Sequence, residues 1–293
     1  MKIMEAIETG MIEFKNANIE FPKLKSRMIM QFVLNKTRQY IIVNEMKELD
    51  ENEEKKFFDA IFKIKEGVPL EHITHQKEFM KLNFYVDENV LIPRQDTEIL
   101  VEEVIGIAEK VKAKKILDLC TGSGAIAVSL AKYIPQSNIT AIDISNEALK
   151  ISKINAINNQ VENQIKFINS DMFTNLNNEK FDIIVSNPPY IRTNEIDDLD
   201  ENVKREPYIA LDGGNDGLIF YKKIIKESYQ YLKYGGYLCL EIGYDQKADV
   251  IDLIEKEKKF ENTYAKKDLY DNDRVVVTKL KDCINIKNIQ RGE

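Results

Sequence analysis

A short stretch, Asn187-Pro188-Pro189-Tyr190, directly follows the apolar run 181–186. The run is short, rich in β-branched residues and ended by a proline pair, which is typical of a buried parallel strand. Proline donates no backbone hydrogen bond and keeps the preceding residue out of the helical region. We therefore expect Asn187 and Pro188 in an extended loop at the carboxyl end of that strand, the edge where open α/β sheets bind ligands.

The same stretch offers the groups needed to methylate a planar nitrogen. An amide or exocyclic amino nitrogen is a poor nucleophile because its lone pair is delocalised, and a site activates it by accepting hydrogen bonds from both of its N–H groups. The Asn187 side-chain oxygen and the Pro188 carbonyl are two such acceptors, and the Tyr190 ring can pack on the planar group. We predict catalytic roles for Asn187, Pro188 and Tyr190, with Pro189 joining them in substrate binding. An ordinary turn after a strand is the alternative that this stretch alone leaves open.

A glycine-rich segment, 118–124, lies where a predicted strand meets a predicted helix. Glycines there let the backbone approach a ligand closely, and the helix N-terminus offers unpaired N–H groups. Asp143 ends the next predicted strand, 19 residues after Gly124, where a carboxylate can accept hydrogen bonds from ribose hydroxyls. The pattern from Gly122 to Ala127 also fits a dinucleotide fingerprint, so a nicotinamide-dependent dehydrogenase is an alternative on this segment alone.

Two features favour S-adenosylmethionine over a dinucleotide. Asp118 suits the cationic methionine end of S-adenosylmethionine but would face a pyrophosphate unfavourably. The strand that carries Asn187 ends in a turn suited to binding a planar nitrogen, where the site of a hydride acceptor would need an acid or a base. The adenine contacts are a separate prediction. Asp171 is predicted to accept from the adenine amino group while Met172 lies against the ring, although both could simply end a strand and fill the core. The predicted cofactor-binding residues are Asp118, Cys120, Thr121, Gly122, Ser123, Gly124, Asp143, Asp171, Met172 and Asn187.

The chain divides by its hydrophobic periodicity. Residues 1–75 have apolar positions at helical spacing and predict a small helical domain for substrate docking; 76–94 predict a β-hairpin linker that turns near 87–89. Residues 95–282 alternate strands and helices, which indicates a doubly wound, mostly parallel sheet. We expect Asp96 or Thr97 to cap the first helix of this region, and a frayed tail over 283–293.

Composition limits the partner and the compartment. The 293 residues carry a net charge of −7 without any basic cluster, which favours a protein partner over nucleic acid. No signal peptide or membrane span is apparent, and three widely spaced cysteines suggest a reducing cytoplasm. His72 and His75 lack enough neighbouring ligands for a metal site, so we predict none.

Several segments together resemble one family, the peptide-chain release factor glutamine N5-methyltransferases. They span about residues 20–280 and are 67–73, Glu78-Phe79, 93–98, 117–124, Asp143, Ser170-Asp171, 186–191, Glu206-Pro207, Ala210-Leu211, 213–217, 241–243, Asp268-Leu269 and Asp273-Arg274.

The resemblance implies a class I methyltransferase fold: a doubly wound, mostly parallel seven-stranded sheet with one antiparallel insertion, joined by the hairpin to the helical domain. It implies S-adenosylmethionine as cofactor, no metal, and methylation of the glutamine in the Gly-Gly-Gln loop of class I peptide chain release factors. We accordingly expect a cytoplasmic monomer without direct nucleic-acid or membrane contact. An amino-group methyltransferase acting on DNA adenine or RNA guanine is one alternative, and a binding protein without turnover is another.

The sequence departs from the family pattern at four positions. Cys120 stands where glycine is more usual, and Met172 replaces a common aromatic residue. His72 and His75 replace a usual Tyr and Gly before the hairpin. We expect the first two to soften the cofactor contacts, and the last two leave the conformation before the hairpin open.

Overall fold

The computed structural model describes residues 1–282, so the predicted tail at 283–293 lies outside the described residues. Contacts divide the chain into two compact units: a helical unit, Met1–Gln76 with Asp200–Arg205, and a sheet unit, Lys77–Leu199 with the chain from Glu206 onward. The α-helices are α1 (Ile3–Asn16), α2 (Pro22–Leu34), α3 (Arg38–Val43), α4 (Glu51–Lys65), α5 (Leu70–Thr74), α6 (Asp96–Val111), α7 (Ala125–Tyr133), α8 (Asn146–Asn158), α9 (Glu201–Lys204), α10 (Tyr208–Leu211), α11 (Ile219–Ser228) and α12 (Lys247–Lys256). The strands are β1 (Lys77–Phe79), β2 (Leu82–Phe84), β3 (Lys115–Leu119), β4 (Asn138–Asp143), β5 (Ile165–Asn169), β6 (Phe181–Ser186), β7 (Leu232–Glu241), β8 (Phe260–Lys267) and β9 (Asp273–Leu280).

The helical unit shows how local signals form its helices. α4 begins with a capping box, in which the Glu53 N–H donates to Asp50 Oδ1 at 2.7 Å and the Asp50 N–H donates to Glu53 Oε2 at 2.9 Å. Phe57, Ile61 and Ile64 recur on one face of α4 and are buried in the core of the unit. The predicted helical character of residues 1–75 is confirmed. No helix within residues 1–282 is long and apolar enough to cross a membrane.

The sheet unit contains one seven-stranded sheet in the order β5-β4-β3-β6-β7-β9-β8. Pairs among β5, β4, β3, β6 and β7 are parallel, whereas β9 pairs antiparallel with both β7 and β8. The last strand of the chain therefore inserts between β7 and β8. This confirms the predicted class I methyltransferase fold, in which only the inserted strand runs against its neighbours.

Both faces of this sheet are buried, which explains its nearly continuous apolar strands. Ile116 and Ile183 face one core, shared with α6, α7 and α8. Their neighbours Leu117 and Ile184 face the other core, shared with α11 and α12. Because side chains alternate along a strand, each apolar strand feeds both cores and orders the carboxyl edge of the sheet.

The predicted hairpin exists, but its predicted turn was wrong. The turn lies at Met80 and Lys81, whose φ values of 49° and 57° are those of a two-residue hairpin turn. Phe79 and Phe84 flank it and pack edge to face with ring centroids 5.9 Å apart. A turn does occur near 87–89, where Asp87 accepts from the Asn89 N–H at 2.9 Å, but it joins no strands.

The start of α6 also differs from the expectation. Gln95 precedes the helix, and neither Asp96 nor Thr97 caps it, because both lie inside its first turn. The Asp96 carboxylate instead pairs with Arg274 at 3.2 Å. Thr97 is buried and directs its hydroxyl towards Asn187. The two side chains predicted to cap the helix therefore bind residues that are distant in the sequence.

Candidate active site

A cleft opens at the carboxyl edge of the parallel strands in the sheet unit. It has an empty volume of about 800 Å³, which includes open solvent at its mouth. Its lining comes from the loops that follow β3, β4, β5 and β6, together with two apolar segments. The lining residues are Asn89, Val90, Leu91, Cys120, Gly122, Ile142, Asp143, Ile144, Ser145, Ala148, Ser170, Asp171, Met172, Asn187, Pro189, Pro207, Ile209, Ala210 and Phe220.

The Asn187–Tyr190 loop directly follows β6 and has no regular secondary structure, so the predicted end of the strand at Ser186 is confirmed. Asn187 and Pro189 line the cleft, whereas Pro188 is buried and Tyr190 is half-buried beside it. The Asn187 Nδ2 donates to Thr97 Oγ1 at 3.2 Å. No hydrogen bond to the Pro188 carbonyl is found within residues 1–282, so this oxygen keeps its capacity to accept.

Backbone contacts from a second loop hold this stretch in place. The Ile191 N–H donates to the Leu211 carbonyl at 3.0 Å, and the Gly213 N–H donates to the Ile191 carbonyl at 2.8 Å. A Cβ at Gly213 would come within 2.7 Å of the Tyr190 Cα. Only glycine permits that approach, which accounts for one glycine of the 213–217 segment.

Gln246, at the start of α12, fixes the same loop from another side. It is 2% exposed, and its Nε2 donates to the Tyr190 carbonyl at 3.0 Å and to the Gly217 carbonyl at 3.2 Å. Its Oε1 accepts from the Gly243 N–H at 2.9 Å. One side chain thus ties together the chain after β6, the glycine segment and the end of β7. Sequence reasoning missed Gln246, since an isolated Gln carries no motif.

The glycine-rich loop after β3 and Asp143 after β4 meet directly. The Gly122 N–H donates to Asp143 Oδ2 at 2.8 Å, and the Ser145 N–H donates to Oδ1 at 2.9 Å. Burial raises the pKa of Asp143, and these backbone donors oppose the rise. Gly122 has a φ of 54°, and a Cβ there would meet no atom within 4 Å. The backbone is therefore bare towards open space at this point in the cleft lining.

Two polar residues of α8 support the glycine loop from behind and were not predicted. Ser152 Oγ donates to the Gly122 carbonyl at 2.6 Å, and Asn155 Nδ2 donates to the Ser123 carbonyl at 2.8 Å. Both side chains are fully buried in the sheet unit. Their spacing of three residues places them on one helix face, which is the only sequence signal for this role, but the same spacing is equally typical of residues that pack in a core.

Asp118 lies at the end of β3 and is fully buried. Thr121 Oγ1 donates to its Oδ2 at 2.6 Å, whereas Oδ1 has no hydrogen-bond partner among the described residues. Burial raises the pKa of this carboxyl to about 7, with the nearby Asp143 adding to the rise and the Thr121 hydrogen bond opposing it. A buried acceptor without a donor is a group that a cationic ligand can satisfy.

Residues 171 and 172 stand at the cleft in different environments. Asp171 is exposed and pairs with Lys223 at 2.8 Å. Met172 is 5% exposed, and its sulfur lies 4.0 Å from that of Cys120. Burial, together with Asp143 and Asp118, raises the pKa of the Cys120 thiol, which suits an unreactive packed side chain.

Two departures from the family pattern have a common backbone explanation. Cys120 has a φ of 59° and His75 a φ of 52°, both in the left-handed region. Glycine adopts this region without strain, which explains why it is the more usual residue at both positions. The present side chains keep the conformation.

An ion pair between Arg94 and the buried Glu206 joins two of the segments that carry the family resemblance. Arg94 pairs with Glu206 through Nη2, and the Ile92 N–H donates to Glu206 Oε2 at 2.9 Å. The Glu206 side chain is only 1% exposed. It fixes the loop before α6 next to Pro207, which lines the cleft. The sequence showed both segments but gave no sign that they touch.

The cleft brings together part of the predicted site. Its lining includes seven predicted residues, namely Cys120, Gly122, Asp143, Asp171, Met172, Asn187 and Pro189. Those outside the lining are Asp118, Thr121, Ser123, Gly124, Pro188 and Tyr190, which lie next to it along the chain. The apolar walls from 89–91 and 207–210 were missed because such residues look like ordinary core.

No group of three or more His, Cys, Asp or Glu side chains within residues 1–282 is arranged to hold a metal ion. His72 and His75 fall in the helical unit, on and directly after α5.

Comparison with known proteins agrees with this geometry. The family model described as "PrmC N-terminal domain" matches residues 5–74, and the one described as "Methyltransferase small domain" matches residues 95–205. A release factor glutamine methyltransferase of Clostridium acetobutylicum is 44% identical over 280 residues, covering 94% of this chain and 98% of that protein. One of Fusobacterium nucleatum is 41% identical, covering 95% and 78%. A methyltransferase structure from Pyrococcus furiosus shares the fold, with 17% identity, a TM-score of 0.51, and coverage of 70% and 92%.

The sheet order and the cleft at its carboxyl edge define a class I methyltransferase. Within that class, the relatives that match along nearly their whole length decide the family. The chain belongs to the release factor glutamine methyltransferase family, which confirms the resemblance inferred from its motifs.

Proposed function

We propose that the protein transfers a methyl group from S-adenosylmethionine to the side-chain amide nitrogen of the glutamine in the Gly-Gly-Gln loop of class I peptide chain release factors. The observation that carries the proposal is the pair of acceptors at the end of β6. Asn187 turns its amide nitrogen to Thr97, which leaves Oδ1 as its acceptor, and the Pro188 carbonyl has no donor within residues 1–282. A glutamine side chain presents one planar NH₂ group with two N–H donors, which matches two acceptors.

The cleft suits S-adenosylmethionine in three respects. The unpartnered Asp118 Oδ1 matches the ammonium of its methionine end. Asp143 keeps lone pairs for ribose hydroxyls, because each carboxylate oxygen has accepted only one hydrogen bond. The bare backbone at Gly122 allows close approach, and Met172, Cys120 and the apolar walls suit a planar ring. When bound, S-adenosylmethionine supplies a methyl group activated by its sulfonium.

The proposed roles of the chain are positional. Asn187 Oδ1 and the Pro188 carbonyl would hold both N–H groups of the glutamine amide and direct its lone pair. Tyr190 would pack against the amide plane, and the neighbouring Pro189 would close the lining. No strong base is needed, because the nitrogen loses a proton readily once it is alkylated. Most of the rate gain would come from orientation, which is worth up to about 7–11 kcal/mol in well-aligned reactions.

A protein acceptor also agrees with the charge of the chain. The net charge of −7 disfavours a grip on a nucleic-acid backbone and favours a basic protein partner. We propose that the helical unit contributes to docking that partner, and that the protein works as a monomer in the cytoplasm.

A methyl-transfer assay with labelled S-adenosylmethionine tests the proposal. Purified release factor, its Gln→Ala variant in the Gly-Gly-Gln loop, total RNA and DNA would be offered in parallel. We expect label on the wild-type release factor alone. Asn187→Ala should lower kcat about 100-fold or more while changing the Kd for S-adenosylmethionine about twofold at most, because it removes an acceptor used on the substrate. Label on nucleic acid, or unchanged turnover in the variant, would contradict the proposal.

A further inference from the structure

Thr97 is a buried hydroxyl that has no contact with substrate in the proposed mechanism and acts only on Asn187. It lies in the first turn of α6, is 4% exposed, and has no capping role. Its Oγ1 accepts from Asn187 Nδ2 at 3.2 Å, across 90 residues of sequence. Because this hydrogen bond uses the amide nitrogen of Asn187, it influences whether the amide oxygen or nitrogen faces the cleft.

A buried carboxyl lies behind this pair. Glu241 ends β7, is 1% exposed, and has no hydrogen-bond partner for Oε2 among the described residues. Burial raises its pKa to about 7, against hydrogen bonding from Thr97 and Asn187 and the charge of Arg274. Arg274 itself pairs with Asp96 and Asp268, at 3.2 and 3.1 Å. The Thr97 hydroxyl and the Asn187 amide, joined to each other at 3.2 Å, are thus the neutral polar groups that act on the Glu241 carboxyl.

The chemistry of the hydroxyl makes this arrangement directional. The terminal torsion of Asn is broad and close to two-fold, so its amide can present either oxygen or nitrogen to a site. A lone threonine hydroxyl would accept both orientations, because it can donate as well as accept. The ionised form of Glu241 only accepts, whereas its protonated form can also donate, so the constraint acts through the carboxylate. If Glu241 takes the Thr97 hydroxyl proton, Thr97 can offer Asn187 only a lone pair, and the amide must place nitrogen inward and oxygen towards the substrate.

We propose that Thr97 and Glu241 are positioning residues that set the orientation of the Asn187 amide, Glu241 accepting the Thr97 hydroxyl so that Thr97 accepts from Asn187. The proposal rests on the proposed function, since it explains why the Asn187 oxygen is available to a substrate N–H.

A matched pair of variants tests the role of Thr97. Thr97→Val keeps the shape but removes the hydroxyl, and Thr97→Ser keeps the hydroxyl. We expect Thr97→Val to lower kcat about 10- to 100-fold with KM and Kd for S-adenosylmethionine changed about twofold at most, the size of one buried hydrogen bond. Thr97→Ser should retain about half of kcat or more. Glu241→Gln should lower kcat by about 10-fold, because its amide can donate to Thr97 and relax the constraint.

A double-mutant cycle separates positioning from a general structural effect. In the Asn187→Ala background, Thr97→Val should cause no further loss of kcat, because the group that it orients is gone. An equal loss in both backgrounds, or an unchanged kcat in Thr97→Val, would overturn the proposal. If Thr97→Val does not fold, the same cycle with Glu241→Gln decides it.

A spectroscopic measurement tests the proposal independently of which molecule receives the methyl group. The side-chain amide resonances of Asn187, observed with ¹⁵N-asparagine and assigned by Asn187→Ala, report its hydrogen bond. We expect slow amide exchange in the wild type and in Thr97→Ser, and at least about 10-fold faster exchange in Thr97→Val. Identical exchange in all three would refute the proposal. A wild-type protein that labels no release factor would instead defeat the proposed function and leave this measurement to judge Thr97.

Discussion

Gln246 allows a stringent test of how the loop after β6 is held. The substitution Gln246→Glu keeps the shape of the side chain and the oxygen that accepts from Gly243. It removes both donated hydrogen bonds, to the Tyr190 carbonyl at 3.0 Å and the Gly217 carbonyl at 3.2 Å. The side chain is 2% exposed, so water cannot replace these donors.

The expected cost follows from these two bonds. Each lost hydrogen bond costs about 1 kcal/mol, and leaving two buried carbonyls opposite a carboxyl adds to this, for a total of about 2–4 kcal/mol at pH 8. For a unit of this size, the melting temperature should fall by about 4–15 °C. The introduced carboxyl has a raised pKa in the folded state, because it faces acceptors in a buried site. Protonation restores one donor, so the loss of stability should be smaller at pH 5.5 than at pH 8.

Thermal unfolding by circular dichroism at both pH values measures this cost. Gln230→Glu, an exposed site with the same change of charge, is the control and should shift the melting temperature by about 1 °C at most. The methyl-transfer kcat of Gln246→Glu should also fall, since the Tyr190 carbonyl loses its anchor. A melting temperature equal to that of the control would refute the reasoning, and so would a loss that grows as the pH is lowered.

Two further predictions concern the cofactor side of the cleft. Burial raises the pKa of Asp118 to about 7 in the folded protein. In the cofactor-free protein, the stability that Asp118 contributes is therefore fully present below about pH 4 and is lost as the pH rises through about 7. Asp118→Asn should reduce this dependence of the free energy of unfolding on pH. A ligand ammonium favours the carboxylate, so calorimetry should show tighter S-adenosylmethionine binding at pH 8 than at pH 6, and equal affinity would contradict the role of Asp118. Gly122→Ala places a methyl in the cleft at a φ of 54°, so it should weaken S-adenosylmethionine binding and cost about 1–2 kcal/mol of stability. The control is Gly106→Ala inside α6, where the added Cβ has no atom within 4 Å; it should stabilise the protein by about 0.5–1 kcal/mol. Equal changes in stability and S-adenosylmethionine binding for the two variants would contradict the assignment of Gly122 to the cleft.

Elements with strong local signals could be predicted from the sequence alone. β6 coincides with the predicted apolar run 181–186, and the glycine-rich segment joins β3 to α7 as expected, because apolar runs and flanking breakers specify these elements locally. The antiparallel insertion was also predictable, since no helix separates the last two strands. The same reasoning predicted the Asn187–Tyr190 loop, because a proline pair must end a strand.

Contacts between distant parts of the chain could not be predicted in this way. The hairpin turn lies at Met80 and Lys81 and not at 87–89, and the rings of Phe79 and Phe84 are in contact beside it. Residues 200–205 pack with the helical unit although they follow β6 in the chain, which no composition change signals.

The candidate site shows the same division between sequence and tertiary structure. Residue types and spacing in the sequence predicted Asn187 and Pro188 as acceptors and Asp143 as a carboxylate of the site, because the ends of parallel strands meet at the ligand edge. Only the tertiary structure showed that Thr97 meets Asn187 and that Gln246 meets Tyr190. These partners are 90 and 56 residues apart, and their single polar side chains carry no periodicity or motif. Their roles come from burial, which makes each hydrogen bond obligatory only once the chain has folded.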